Sequence, residues 1–181
     1  MEIRSAVLLS ERLVDKVRQF RDNRLARIIA DETPVPLRQG AKIVMHVLPI
    51  SGLDVTRQVN MQTVPRLKLY PLGQEYGSHR LNFDGLLTYS GPSDATYDSY
   101  LQLFRNGAIE TVDSWMLDED MNGGKKIRSL AFENKLISGL DRYLELENDV
   151  GFEPPIFVMM SLIGVKGYTM GLDPSSHKFE I

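Results

Sequence analysis

The sequence predicts a mixed α/β (α+β) fold: a largely antiparallel sheet of about five strands with two main helices packed on it. Three observations predict it. Residues 99 to 113, SYLQLFRNGAIETVD, form two alternating runs that meet at Asn106-Gly107, the strongest short-range signal for a hairpin with a two-residue turn. Two stretches, near residues 10–30 and 127–148, carry apolar residues at helical spacing. Two others, residues 41–49 and 156–165, are apolar almost throughout, the pattern of strands buried on both faces.

The elements follow in chain order. Ser10 is placed to cap a helix running to about Ala30. Val14, Val17, Leu25, Ile28 and Ile29 form its apolar arc, with Leu13 and Phe20 at the edge. At about 100° per residue, Arg21 and Arg24 fall inside that arc rather than opposite it. Thr33-Pro34-Val35-Pro36 ends the helix, because proline disfavours αR in the residue before it. Ala41 to Pro49 reads as a central strand with His46 in its middle. Residues 51–79, broken by Gly52, Pro65, Pro71, Gly73 and Gly77, are expected to hold a short strand or turn of helix. Leu81 to Tyr89 is the next strand, interrupted at Gly85, and Ser90 to Asp94 is a turn cluster.

In the hairpin, Arg105 and Glu110 flank the turn and are placed to face each other across it. Asp118 to Lys126 reads as a flexible loop. Ile127 to about Asn148 is the second helix, with Leu136, Ile137, Leu140, Tyr143 and Leu144 on one face. Gly151 and Pro154-Pro155 close it. The last strand, Ile156 to Val165, arrives by a helical crossover and is expected to lie parallel to a neighbour. Residues 1–170 read as one domain and 171–181 as a polar C-terminal tail.

Composition narrows the function classes. The formal net charge of −3 argues against a dedicated nucleic-acid coat. With no cysteine there is no disulfide and no thiolate metal site. No apolar run approaches the roughly 20 residues of a membrane span, and the N-terminus lacks the apolar run of a secretory signal. A cytoplasmic protein with no membrane partner is expected.

Few residues carry recognisable chemistry. Arg21 and Arg24, on a core-facing helix, suit anion binding through their forked guanidinium groups; otherwise they pair with acidic side chains on the sheet. His46, inside a buried strand, is a candidate general base or a core histidine with one hydrogen-bond partner. Only three histidines are present, without metal spacing, so no metal site is assigned. Asp84 and Gln102 occupy successive strands in the manner of a metal-dependent nuclease, but Phe104 stands where such a site needs lysine. Asn122-Gly123-Gly124-Lys125-Lys126 lacks the phosphate-loop pattern and reads as a linker. Trp115, Tyr97 and Tyr100 have no basic stripe around them and read as packing residues rather than base-stacking ones.

The segments EIRSAVLLSERLVDKVRQFRDNRLARI, KIVMHVLPIS, LNFDGLLTYSG, YLQLFRNGAIETVD, LAFENKLISGLDRYLEL and PPIFVMMSLIGVKGY cover most of the chain. Together they resemble the region that follows the Schlafen-type AlbA_2 domain in bacterial proteins labelled ATP-binding or DNA-binding. The resemblance implies a chain cut from a larger protein, with nucleic acid handled by the upstream domain. It brings no catalytic residues and leaves any cofactor unknown. The expected function is a non-catalytic accessory domain, for assembly (a homo-oligomer included) or ligand sensing. The alternatives are a degenerate restriction-endonuclease-like nuclease using Asp84 and Gln102, and an anion- or nucleic-acid-binding surface at Arg21 and Arg24.

Overall fold

The computed structural model describes residues 2–53, 57–64, 69–91, 96–117 and 124–171, with the side chains of residues 2–10 and 128 left aside. Helix α1 spans Glu2–Ile29. Strand β1, Lys42–Pro49, is buried along its whole length. A short 3-10 turn follows at Ile50–Leu53. Next come β2 (Ser78–Leu81), β3 (Gly85–Ser90), β4 (Ser99–Phe104) and β5 (Ile109–Asp113). After β6 (Lys126–Arg128) come α2 (Ser129–Asp149), β7 (Ile156–Ile163) and β8 (Thr169–Gly171). The fold is mixed α/β. No described helix is long and apolar enough to cross a membrane.

The main sheet has six strands, in the order β2-β3-β4-β5-β1-β7, and every neighbouring pair is antiparallel. β6 and β8 form a separate parallel pair. The sixth strand of the main sheet comes from the expected Leu81–Tyr89 strand, which is in fact a hairpin. Asn82 turns the chain: its backbone N–H donates to the Gly85 carbonyl, and its side-chain oxygen accepts the Gly85 N–H at 2.8 Å. Gly85 sits at φ +149°, and a Cβ there would run into the Leu103 carbonyl.

The expected parallel neighbour for the last strand is corrected. β7 runs in the same direction as β5, as a helical crossover should, but β1 already lies between them. The hydrogen-bonded neighbour of β7 is therefore antiparallel. Its uniform apolarity also misleads about position: β7 is an edge strand, with Val158 and Met160 exposed. Ser10 is not a cap, because α1 already runs through it from Glu2. The second helix starts at Ser129, since Lys126–Arg128 is extended in β6. The linker reading of residues 118–123 and the tail at 172–181 fall outside the described residues.

The central hairpin forms where expected, with a loop one residue longer. The Phe104 N–H donates to the Ala108 carbonyl and the Gly107 N–H to the Phe104 carbonyl. Three residues, 105–107, therefore make the turn, with Gly107 at φ +87°. The register pairs Gln102 with Glu110, not Leu103 with Glu110. This shift decides which face of β5 carries the carboxylate.

The helices lie on opposite faces of the sheet. Under α2 the core joins Ile43, Met45, Val47, Leu101, Leu103 and Ile109 to Phe132, Tyr143 and Leu146. Under α1, Val44, Leu87, Tyr100 and Val112 meet Ile28, while Leu48 and Ala108 meet Val17. Glu110 falls on the α1 side.

Candidate functional site: a buried carboxylate and the cleft beside it

Register sets Glu110 directly between His46 on β1 and Gln102 on β4. Its side chain is fully buried, as are those of His46 and Tyr100. Charge in that position needs partners, and three arrive, with four hydrogen bonds between them. Arg24 forks onto it from α1, Nε to Oε2 at 2.8 Å and Nη2 to Oε1 at 2.7 Å. The Tyr100 hydroxyl donates to Oε1 at 2.7 Å. His46 Nε2 lies 3.0 Å from Oε2. Both carboxylate oxygens thus take two hydrogen bonds each, which fills the lone-pair sites available. Burial alone would raise the Glu110 carboxyl, but the Arg24 fork and the His46 hydrogen bond outweigh it and hold the group at about 2. Desolvation works against the Arg24 charge, yet the adjoining Glu110 carboxylate raises the guanidinium further. Tyr100 is raised well above its ordinary range by burial and then by the neighbouring carboxylate.

Aromatic rings seal the node. The Arg24 guanidinium lies 5.0 Å from the Phe104 ring centre, and Phe20 stands edge-on to both His46 and Phe104. Because Glu110 can only accept, His46 donates through Nε2. Its Nδ1 is left buried without a partner among the described residues.

The expected site residues separate into three places. Arg24, Asp84 and Gln102 line one cleft of about 350 Å³, together with Arg27, Glu32 and Thr33. His46 lies behind Glu110 and does not line that cleft. Arg21, one turn before Arg24, points the other way: its Nε donates to Ser161 on β7 at 3.2 Å, and Asp22 is 3.9 Å distant. Of the two arginines expected to bind an anion, Arg24 therefore faces an internal one.

Within the cleft, Arg27 sits 3.5 Å from Glu32. Gln102 is buried and its amide is engaged: Oε1 accepts from Asn82 at 2.7 Å, and Nε2 donates to the Leu103 carbonyl. Asp84 is exposed, with no hydrogen bond or ion pair to its carboxylate among the described residues. Phe104 occupies the position a nuclease would give to lysine, and Arg105 donates to the Phe83 carbonyl instead of facing Glu110. No group of three His, Asp or Glu side chains able to hold a metal occurs among the described residues. Of the aromatics weighed for base stacking, Tyr100 belongs to the node, Tyr97 stacks edge-on with Tyr89, and Trp115 lies 5.0 Å from the Lys135 ammonium.

Sequence reasoning assigned Glu110 to Arg105 and Tyr100 to packing, so it missed both central residues. One signal could have found Glu110. An arginine inside an apolar arc requires a buried acid, and Glu110 is the acid flanked by Ile109, Thr111 and Val112.

Two further buried carboxyls occupy the α2 side of the molecule. Asp113 Oδ1 accepts the N–H groups of Trp115 and Met116, while burial pushes its carboxyl up to about 6. Glu147 is fully buried, neither of its oxygens has a hydrogen-bond partner among the described residues, and burial pushes it to about 8. Comparison of the chain with protein-family models, curated proteins and solved structures finds no match.

Proposed function

We propose that the chain is a non-catalytic accessory module, serving assembly or ligand sensing beside a nucleic-acid- or nucleotide-handling domain of the kind its sequence resemblance implies. The observation that carries this reading is the saturation of Glu110. The best-placed acid, base and guanidinium are bound to one another and hold α1 against the sheet. A carboxylate with four donors has no lone pair for a proton or a metal, and an imidazole locked behind it has no path to a substrate.

The reading is tested by incubating the purified chain with single- and double-stranded nucleic acid and with nucleoside triphosphates, in magnesium or manganese. No hydrolysis above buffer is expected. Turnover that disappears in Asp84→Ala would overturn the reading. That outcome would favour the second one, a degenerate metal-dependent nuclease, which the shared cleft of Asp84 and Gln102 supports. Such an enzyme would rely on a single free carboxylate, because the Gln102 oxygen already accepts from Asn82.

A further inference from the structure

The main sheet ends in two unlike edges. β2 is four residues long and carries His79 and Arg80, the short, charged form by which natural sheets discourage further pairing. β7 is eight residues long and reads Ile-Phe-Val-Met-Met-Ser-Leu-Ile, with no charge, no proline and no glycine. Among the described residues β1 is its only strand partner. Val158 and Met160 are 42% and 47% exposed, on the face that α2 covers elsewhere. An edge of that length and composition is suited to receive another strand.

We infer that the free edge of β7 pairs with β7 of a second copy of this chain, antiparallel across a twofold axis, joining two six-stranded sheets into one. The inference rests on the assembly half of the function proposed above. Symmetry supports a second copy as the occupant. A twofold normal to the sheet keeps each face on its own side, so residues pair with partners of the same pleat and either Met159 or Met160 lies on the axis. In both registers Val158 and Met160 of each copy meet apolar side chains of the other. Charge supports it as well. Glu153 precedes the strand and Lys166 follows it, both exposed and neither in an ion pair among the described residues. Antiparallel pairing brings the strand end that follows Glu153 in each copy to the strand end that precedes Lys166 in the other, so acid and base share both ends of the joint. The assembly closes at two copies, because the β2 edges left outside carry His79 and Arg80.

The test is sedimentation velocity of the 181-residue chain over a concentration series, with circular dichroism as the check on folding. A dimer is expected. Met160→Lys, at a half-exposed position, should keep the fold and weaken the dimer by at least about tenfold, since in either register it sets a charge into the apolar seam, against Val158 or the other lysine. Glu153→Lys should weaken it too, and Glu153→Lys combined with Lys166→Glu should restore it. A monomer at every concentration overturns the inference and leaves the edge to a strand from another protein. A dimer indifferent to Met160→Lys, or a charge swap that fails to restore association, overturns it as well. None of these results bears on hydrolysis, so the accessory reading is judged separately by the Asp84 experiment.

Discussion

Glu110, under α1, and Glu147, on α2 across the sheet, are equally cut off from solvent, yet one is held ionised and the other neutral. Burial acts on both in the same direction. The difference is the company: Glu110 has a guanidinium, an imidazole and a phenol within hydrogen-bond distance, and Glu147 has no hydrogen-bond partner among the described residues. The α1 face therefore keeps a charge and uses it to fix the helix on the sheet. The α2 face is held by apolar packing around Tyr143 and Phe132 and carries its acid as a neutral passenger. A buried carboxyl is informative about architecture only when its donors are counted with it.

The largest expected effect breaks the charged side. Glu110→Ala strands a buried guanidinium and should cost about 4 kcal/mol in urea unfolding. Replacing both ends, Glu110→Leu with Arg24→Met, should recover part of that loss, because no uncompensated charge remains. Additive losses in the double variant would show that Arg24 and Glu110 act independently.

The neutral side should respond in the opposite sense. Glu147 has a folded value near 8 against 4.5 as its ordinary value. Its raised value means that its stabilising contribution is complete below pH 4.5 and is lost as pH rises towards 8. Glu147→Gln should accordingly match the parent near pH 4 and gain on the order of 3 kcal/mol at pH 7. Glu110 works the other way. Its value of about 2 lies below 4.5, so its contribution is present above pH 4.5 and fades as pH falls towards 2. Thermal melts across pH should show the Glu147→Gln gain growing with pH. A gain that is constant with pH would contradict an ionising Glu147.

Gly107→Ala probes the turn that gives Glu110 its side of the sheet. The position has φ +87°, and a Cβ there would meet the Phe152 ring at 2.5 Å, so a loss of about 2 kcal/mol is expected in chemical unfolding. Arg21→Ala should be the mildest change. Its guanidinium is partly solvated and makes one hydrogen bond to Ser161, worth about 0.5 kcal/mol.

These contrasts also mark how far the sequence could be read. The helices and the hairpin were legible because periodicity and turn chemistry are local. The oddity of Arg21 and Arg24 was legible for the same reason, whereas the partner of Arg24 lies 86 residues away and was not. Asn106-Gly107 pointed to a two-residue loop, but tertiary packing of Gly107 against Phe152 accompanies a three-residue one. β1 and β7 read alike because an apolar run records which residues can be covered, not whether a neighbour covers them. Asn82 was hidden within an apparently continuous strand, although Asp84-Gly85 beside it is itself a turn dipeptide and marked the break. Asp84 and Gln102 were paired from strand order, and the structure does place them on one cleft.

The three-residue turn between β4 and β5 has a meaning for how such a chain can change. Because side chains alternate along a strand, the number of residues in that loop works as a parity bit for β5. Removing one residue from 105–107 while β4 stays in place would rotate the strand's whole alternation. Glu110 and Val112 would pass to the α2 layer, and Ile109, Thr111 and Asp113 to the α1 layer. Arg24 would then face isoleucine with no substitution anywhere near it. A single-codon deletion in this loop is a larger event than most replacements in the core. The side of the sheet on which Glu110 lies thus depends on how many residues this loop holds rather than on which residues stand at 105 and 106.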